Sequence, residues 1–145
     1  MTPTLNLATQ LRSVEHFFQE AAEILNGKSR DYAPEGIPLL NVVDSCRKWN
    51  MQPLQVLGIA YQKQETAISR FVRDGVLDSD PIRSRLIDAV NYFALMAFYA
   101  QYRQAIHEQW ERWVRAQPCT CTFGELPHSC VRCLRLKWIT TCLHV

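Results

Sequence analysis

Apolar residues recur along most of the chain at intervals of three and four, the spacing that places side chains on one face of an α-helix. Leu11, Val14, Phe18, Ala21 and Leu25 follow it and predict a helix over about 7–26, closed by Gly27 as a C-cap. The next stretch, KSRDYAPEGIP, holds two prolines and a glycine and predicts a loop. Leu39, Leu40, Val43, Cys46 and Trp49 predict a short helix over 38–49. Pro53 suits the first turn of a third helix, about 53–74, which Gly75 closes. The clearest start signal is Asp80 followed by Pro81, an N-cap and a first helical position.

From Pro81 to about Ala116 nothing breaks a helix, and Pro118 stops it. Leu86, Val90, Phe93 and Ala97 give this fourth helix one apolar face, and Ile87, Leu95, Phe98 and Tyr102 a second. A helix apolar on two faces is central in a bundle or lies in an oligomer interface. Its later part, HEQWERWVRAQ, is charged and is expected to project from the bundle. Trp49, Trp110, Trp113 and Cys46 read as core or interface residues.

Composition fits this picture. The 145 residues allow one domain with a small appendage, and only 5 are glycine. Little Val/Ile/Thr alternation argues against a sandwich or barrel, and the expected fold class is all-α. No run of about 18 uncharged apolar residues predicts a membrane span. The N-terminus lacks the basic and apolar regions of a secretory signal, so a cytoplasmic protein is expected. A formal charge of +2 predicts no strong generic affinity for nucleic acid or an anionic membrane.

The 6 cysteines change the picture more, because all but Cys46 follow Pro118. They divide the chain into a helical body, 1–117, and a Cys-rich tail, 118–145. Cys119 and Cys121 form C-x-C, Cys130 and Cys133 form C-x-x-C, and eight residues separate the pairs. Four thiolates so spaced suit a tetrahedral, structural zinc site, and a closed site leaves no position for water. His128, Cys142 and His144 are spare ligands, so a Cys₃His variant stays open. Reduced thiols are expected in a chain without a secretory signal, which makes disulfides the weaker reading. Arg132, Arg135, Lys137 and Trp138 give the tail a local basic-aromatic character, as nucleic-acid-binding knuckles have. A solvated face is the simpler account of that cluster.

Three further pieces carry a family resemblance: AAEILNGKSRDYA (21–33), AYQKQETAISRFV (60–72) and SDPIRSRLIDAVNYFALM (79–96). The last is close to an "S-E-P-I-x-x-R-x-x-D-x-x-N-Y" segment that opens the last core helix. Together they resemble phage-encoded small helical proteins related to the all-α nucleoside triphosphate pyrophosphatases, the MazG-like superfamily, over somewhat more than half the chain. The resemblance implies a four-helix-type body, usually oligomeric, that handles a nucleotide, placed in the host cytoplasm if phage-encoded.

Enzymes of that superfamily hold Mg²⁺ with carboxylates from an E-x-x-E helix and an E-x-x-D helix, and hydrolyse an NTP to NMP and pyrophosphate. By this resemblance Glu20, Glu23 and Asp88 are the catalytic and Mg²⁺-binding candidates. Arg85 stands where a second carboxylate is expected on the last helix, and the gap between the two elements is longer than usual. Lys28, Arg30, Asp31, Tyr32, Lys63, Arg85 and Asn91 are the nucleotide-binding candidates. Asp31 and Tyr32 could hydrogen-bond and stack on a base or sugar, Lys63 or Arg85 could meet phosphates, and Asn91 repeats the three-residue spacing from Asp88.

Simpler readings stand beside these. Glu20 and Glu23, with His16, form a solvated helix face; Asp88 is held in a structural salt bridge with a basic residue such as Arg85, Arg83 or Lys63; Lys63 is an exposed lysine. Two nucleotide-handling functions follow, a Mg²⁺-dependent pyrophosphohydrolase and a non-catalytic protein that sequesters a nucleotide, such as a signalling nucleotide of a host defence system. A zinc-containing adaptor for protein or nucleic acid is the third.

Overall fold

A computed structural model describes residues 6–33, 36–77, 80–121 and 130–142, apart from the side chains of Asp31, Tyr32 and Cys142. The described residues form five helices and no strand: α1 (Leu7–Tyr32), α2 (Leu40–Trp49), α3 (Pro53–Asp74), α4 (Ile82–Ala116) and α5 (Val131–Cys142). The all-α class read from the sequence holds, and the four helices expected of the body are present. No described helix is long and apolar enough to cross a membrane.

Local signals set most of the boundaries. Asn6 caps α1, its Oδ1 accepting from the Thr9 amide at 2.9 Å. Pro53 opens α3, and Gly75 closes it at φ +73, the left-handed conformation that glycine adopts without strain. Helix α2 starts at Leu40 and not at 38, and two further boundaries differ from the sequence reading. The first helix does not stop at Gly27 but runs on to Tyr32, taking in the first part of the expected loop. At the start of α4 the N-cap is Pro81, and the Asp80 carboxylate instead pairs with Arg85 at 2.5 Å.

The core lies where α2, α3, the second half of α4 and α5 meet. Leu40, Val43 and Cys46 from α2, Leu57 from α3, Ile106, Trp110 and Val114 from α4 and Ile139 from α5 are all buried there. Each such side chain contributes about 1.5–3 kcal/mol on leaving water. The charged end of α4, expected to project, therefore packs into the core along one face. Glu108, Arg112 and Arg115 take its outer positions, while Ile106, Trp110 and Val114 recur every four residues on the inner face. The indole Nε1 of Trp110 donates to the carbonyl of Pro38 at 2.8 Å, tying the lead into α2 onto α4.

Helix α4 bends at Tyr102, whose φ of −115° and ψ of 18° lie outside the helical range. It packs against α1, α3 and α5. Eight residues of straight helix rise about 12 Å, yet Tyr99 Oη and His107 Nε2 meet across the bend at 2.7 Å.

Helix α1 packs on α4 through its second half, where Ala21 is buried and Glu20 and Lys28 pair with Arg83 and Asp88. Leu11, Val14 and Phe18, expected on the same packed stripe, are 59%, 45% and 54% exposed. Trp49, read as core or interface, is also exposed, with the Lys48 ammonium 5.2 Å from its ring centre. Trp110 and Cys46 are core residues, and Trp113 packs against that core, as the sequence suggested.

Candidate functional site

Two sites stand out, and the chain after α4 builds the first. Cys119 and Cys121 leave α4 in extended chain, Cys130 precedes α5, and Cys133 lies buried in its first turn. Their four sulfurs all lie within 4.8 Å of one another. The closest pairs, Cys119–Cys130, Cys119–Cys133 and Cys121–Cys133, are 3.8, 3.7 and 3.7 Å apart. A regular tetrahedron with metal–sulfur bonds of about 2.3 Å has edges of about 3.8 Å. The four sulfurs are thus close enough together to hold a metal ion such as zinc. Proximity also splits their acidity. The Cys133 amide, donating to Cys130, lowers that thiol to about 5, while Cys130 and burial push Cys133 up to about 12. His128 and His144, and the side chain of Cys142, lie outside the described residues.

The basic residues of the tail are turned to structural use. Arg132 donates to the carbonyls of Val114 and Arg115 at 3.2 and 3.1 Å, satisfying the end of α4. Arg135 forms a two-point ion pair with Asp44 of α2 and lies 5.8 Å from the Trp113 ring centre. The guanidinium holds the Asp44 carboxyl below the usual range. Trp138 packs against the core, which leaves Lys137 as the exposed cation of the four.

The second site is a cleft of about 790 Å³ bounded by the end of α1, the lead-in and inner face of α2, α3 and the first half of α4. Four of the residues named from the sequence line it: Lys28, Arg30, Asp88 and Asn91. Lys28 Nζ meets Asp88 Oδ1 at 2.8 Å, so the salt bridge expected for Asp88 is present, with Lys28 as partner in place of Arg83, Arg85 or Lys63. Both Lys28 and Arg30 stand in the final turns of α1, where the helix dipole favours cations. Asn91 is only 7% exposed, and its Nδ2 has no hydrogen-bond partner.

Leu39, Val42, Leu57 and Leu95 make the floor apolar, and Tyr92 and Phe98 add aromatic faces. Tyr92, Leu95 and Phe98 were not singled out from the sequence as ligand contacts. Asp88, Asn91, Tyr92 and Leu95 nevertheless fall at i, i+3, i+4 and i+7, one helix face that the sequence displays.

The remaining candidates sit elsewhere. Glu20 pairs with Arg83, whose guanidinium holds the carboxyl below its ordinary range and lies 5.5 Å from the Phe17 ring centre. Glu23 and Lys63 are exposed, and neither lines the cleft. Arg85 donates to Gln64 Oε1 at 3.1 Å as well as pairing with Asp80. Asp31 and Tyr32 close α1, with side chains outside the described set. Among the described residues, the four cysteines are the one group of three or more ligating side chains that converges. Glu20, Glu23 and Asp88 form no such group, so the carboxylates do not fit a shared Mg²⁺ site in this arrangement.

No protein-family model, curated protein or solved structure matches the chain.

Proposed function

We propose that this is a nucleotide-handling protein that binds its ligand in the cleft without hydrolysing it, and that zinc on Cys119, Cys121, Cys130 and Cys133 organises its C-terminal segment. The observation that carries the reading is the meeting of Lys28, Arg30, Asp88 and Asn91 over an apolar, partly aromatic floor. Cations suit a phosphate, the amide suits a base or sugar, and the floor suits a planar ring. The resemblance to MazG-like proteins supplies the ligand class. Hydrolysis of a phosphoanhydride needs a cation with several oxygen ligands and an activated water. Glu20 is engaged by Arg83, and Asp88 by Lys28, which favours the binder over the pyrophosphohydrolase.

Sulfur spacings matching a zinc tetrahedron support the metal assignment. The exposed run of Leu7, Leu11, Val14 and Phe18 on α1 supports self-association, in line with the oligomers of the related proteins. An adaptor reading, centred on nucleic acid, loses support because Arg132 and Arg135 are occupied within the chain.

The test is a thermal-shift screen of nucleotides with chromatographic recovery of the ligand. Stabilisation by a nucleotide recovered unchanged is the expected result. Release of pyrophosphate with Mg²⁺, lost in Glu23→Ala, would replace the binder with the hydrolase.

A further inference from the structure

The nucleotide reading of the cleft leaves the number of phosphates open, and the charges that line it restrict that number. We infer that the cleft takes a nucleoside monophosphate in preference to the di- and triphosphate, and does so without a divalent cation. The inference rests on the proposed nucleotide reading and adds to it the charge class of the ligand.

Among the described residues, Lys28, Arg30 and Asp88 are the charged side chains that line the cleft. Two cations and one carboxylate leave a single net positive charge, and half the cationic capacity is already turned to Asp88 at 2.8 Å. A phosphate monoester carries about −1.5 to −2 at neutral pH. Arg30, with Lys28 beside it, meets one such group by charge-assisted hydrogen bonds. Every added phosphate brings an anion for which the described lining residues offer no further cation, and an unpaired anion leaving water is strongly disfavoured. Triphosphates ordinarily offset that charge with Mg²⁺ shared between phosphate oxygens and protein carboxylates. Among the described lining residues the one carboxylate, Asp88, accepts from Lys28 instead.

Asn91 provides the second, independent observation. It is more than nine-tenths buried, it lines the cleft, and its Nδ2 donor has no partner. Buried donors are normally satisfied, so this one points to an acceptor supplied by a ligand. Asn91 lies one helical turn from Asp88, roughly 5 Å along α4. A molecule spanning the two therefore carries its anionic end and a neutral acceptor about one turn apart, as a 5′-phosphate and the sugar or base of one nucleotide do. Tyr92 and Phe98, with Leu39, Val42 and Leu57, form the apolar remainder that receives the ring.

Calorimetric titration of the full chain tests this, using the common ribo- and deoxyribonucleoside mono-, di- and triphosphates in Mg²⁺-free buffer and again with Mg²⁺. Nucleosides, ribose 5-phosphate and inorganic phosphate complete the set. For the preferred base, the monophosphate should bind about tenfold or more tightly than its triphosphate, with no gain from Mg²⁺. The nucleoside, ribose 5-phosphate and inorganic phosphate should each be weaker than the monophosphate by a similar factor. Arg30→Gln, at an exposed position, should weaken the monophosphate about tenfold and leave the nucleoside unchanged. A triphosphate that binds as well as the monophosphate, with or without Mg²⁺, overturns the inference and leaves the nucleotide reading standing. Inorganic phosphate or ribose 5-phosphate binding as tightly as the monophosphate also overturns it. Failure of every nucleotide to bind removes the nucleotide reading itself.

Discussion

His107 shows how a single side chain can tie stability to pH. It is 1% exposed, stacks on Trp110 with ring centres 5.0 Å apart, and is hydrogen-bonded through Nε2 to Tyr99. Burial, aided by the nearby charge of Arg103, lowers its pKa from 6.5 to about 4, so it folds as the neutral imidazole. The unfolded chain takes up a proton below 6.5, whereas the folded chain resists until about 4. The contribution is therefore fully present above the unfolded value, declines as pH falls through that window and is lost below it. Its size is on the order of 3 kcal/mol. Denaturant melts between pH 7 and 4 should show this slope, and His107→Gln, which keeps a polar partner for Tyr99, should flatten it. An unchanged slope in the variant would assign the pH dependence to other groups.

At the scale of elements, α5 and the end of α1 were the least legible in the sequence, for opposite reasons. Helix α5 is short, and Ile139, Thr140 and Thr141 are β-branched residues that favour helix weakly. Its inward positions, Cys133, Leu136 and Ile139, cover barely two turns. Such a helix forms because of what it packs against, which local pattern does not reveal. Replacing a ligand, as in Cys133→Ser, or removing the metal should therefore free α5. Far-UV circular dichroism should lose helix, and Tm should fall by about 10 °C or more. Arg135→Gln, which breaks the partly exposed pair with Asp44 and the contact with the Trp113 ring, should cost about 1 kcal/mol. A metal-free protein that keeps its helicity and Tm would show that packing alone holds α5.

Gly27 misled in the other direction, because a glycine after an apolar run resembles a cap, yet α1 continues through it. A Cβ there meets nothing within 4 Å. Gly27→Ala should accordingly stabilise the chain by about 0.5–1 kcal/mol in denaturant titrations. By contrast, α3 was legible at both ends because Pro53 and Gly75 act locally. The four cysteines were legible as a set because chelate spacing is a short-range property. The cleft was legible only in part. The face of α4 carrying Asp88 and Asn91 is periodic, but the partnership of Asp88 with Lys28 joins residues 60 positions apart, beyond any local signal.

The two sites are linked through the packing of α5 on α2, and that arrangement carries a consequence neither has alone. Helix α2 faces the cleft with Val42 and Ser45, preceded by Leu39, and faces the core with Leu40, Val43 and Cys46. Its backing comes from α5, through Ile139 and the Arg135–Asp44 pair, and from the Trp110 bond to Pro38. Metal bound by the cysteines would fix the start of α5 and so stiffen α2, the cleft wall that α5 backs. Freed of metal, α5 should loosen, α2 should lose one of its supports, and the population of ligand-competent cleft should fall. The Kd of the preferred nucleotide should rise several-fold in chelator-treated or Cys133→Ser protein and recover in the treated wild type on adding zinc. Linkage requires the reverse effect at the same magnitude, so saturating nucleotide should slow metal loss to a competing chelator and tighten zinc by an equal factor. Equal nucleotide affinity with and without metal would show that α2 is held by Trp110 and the core alone, and that the cysteine site stabilises the chain without governing the cleft.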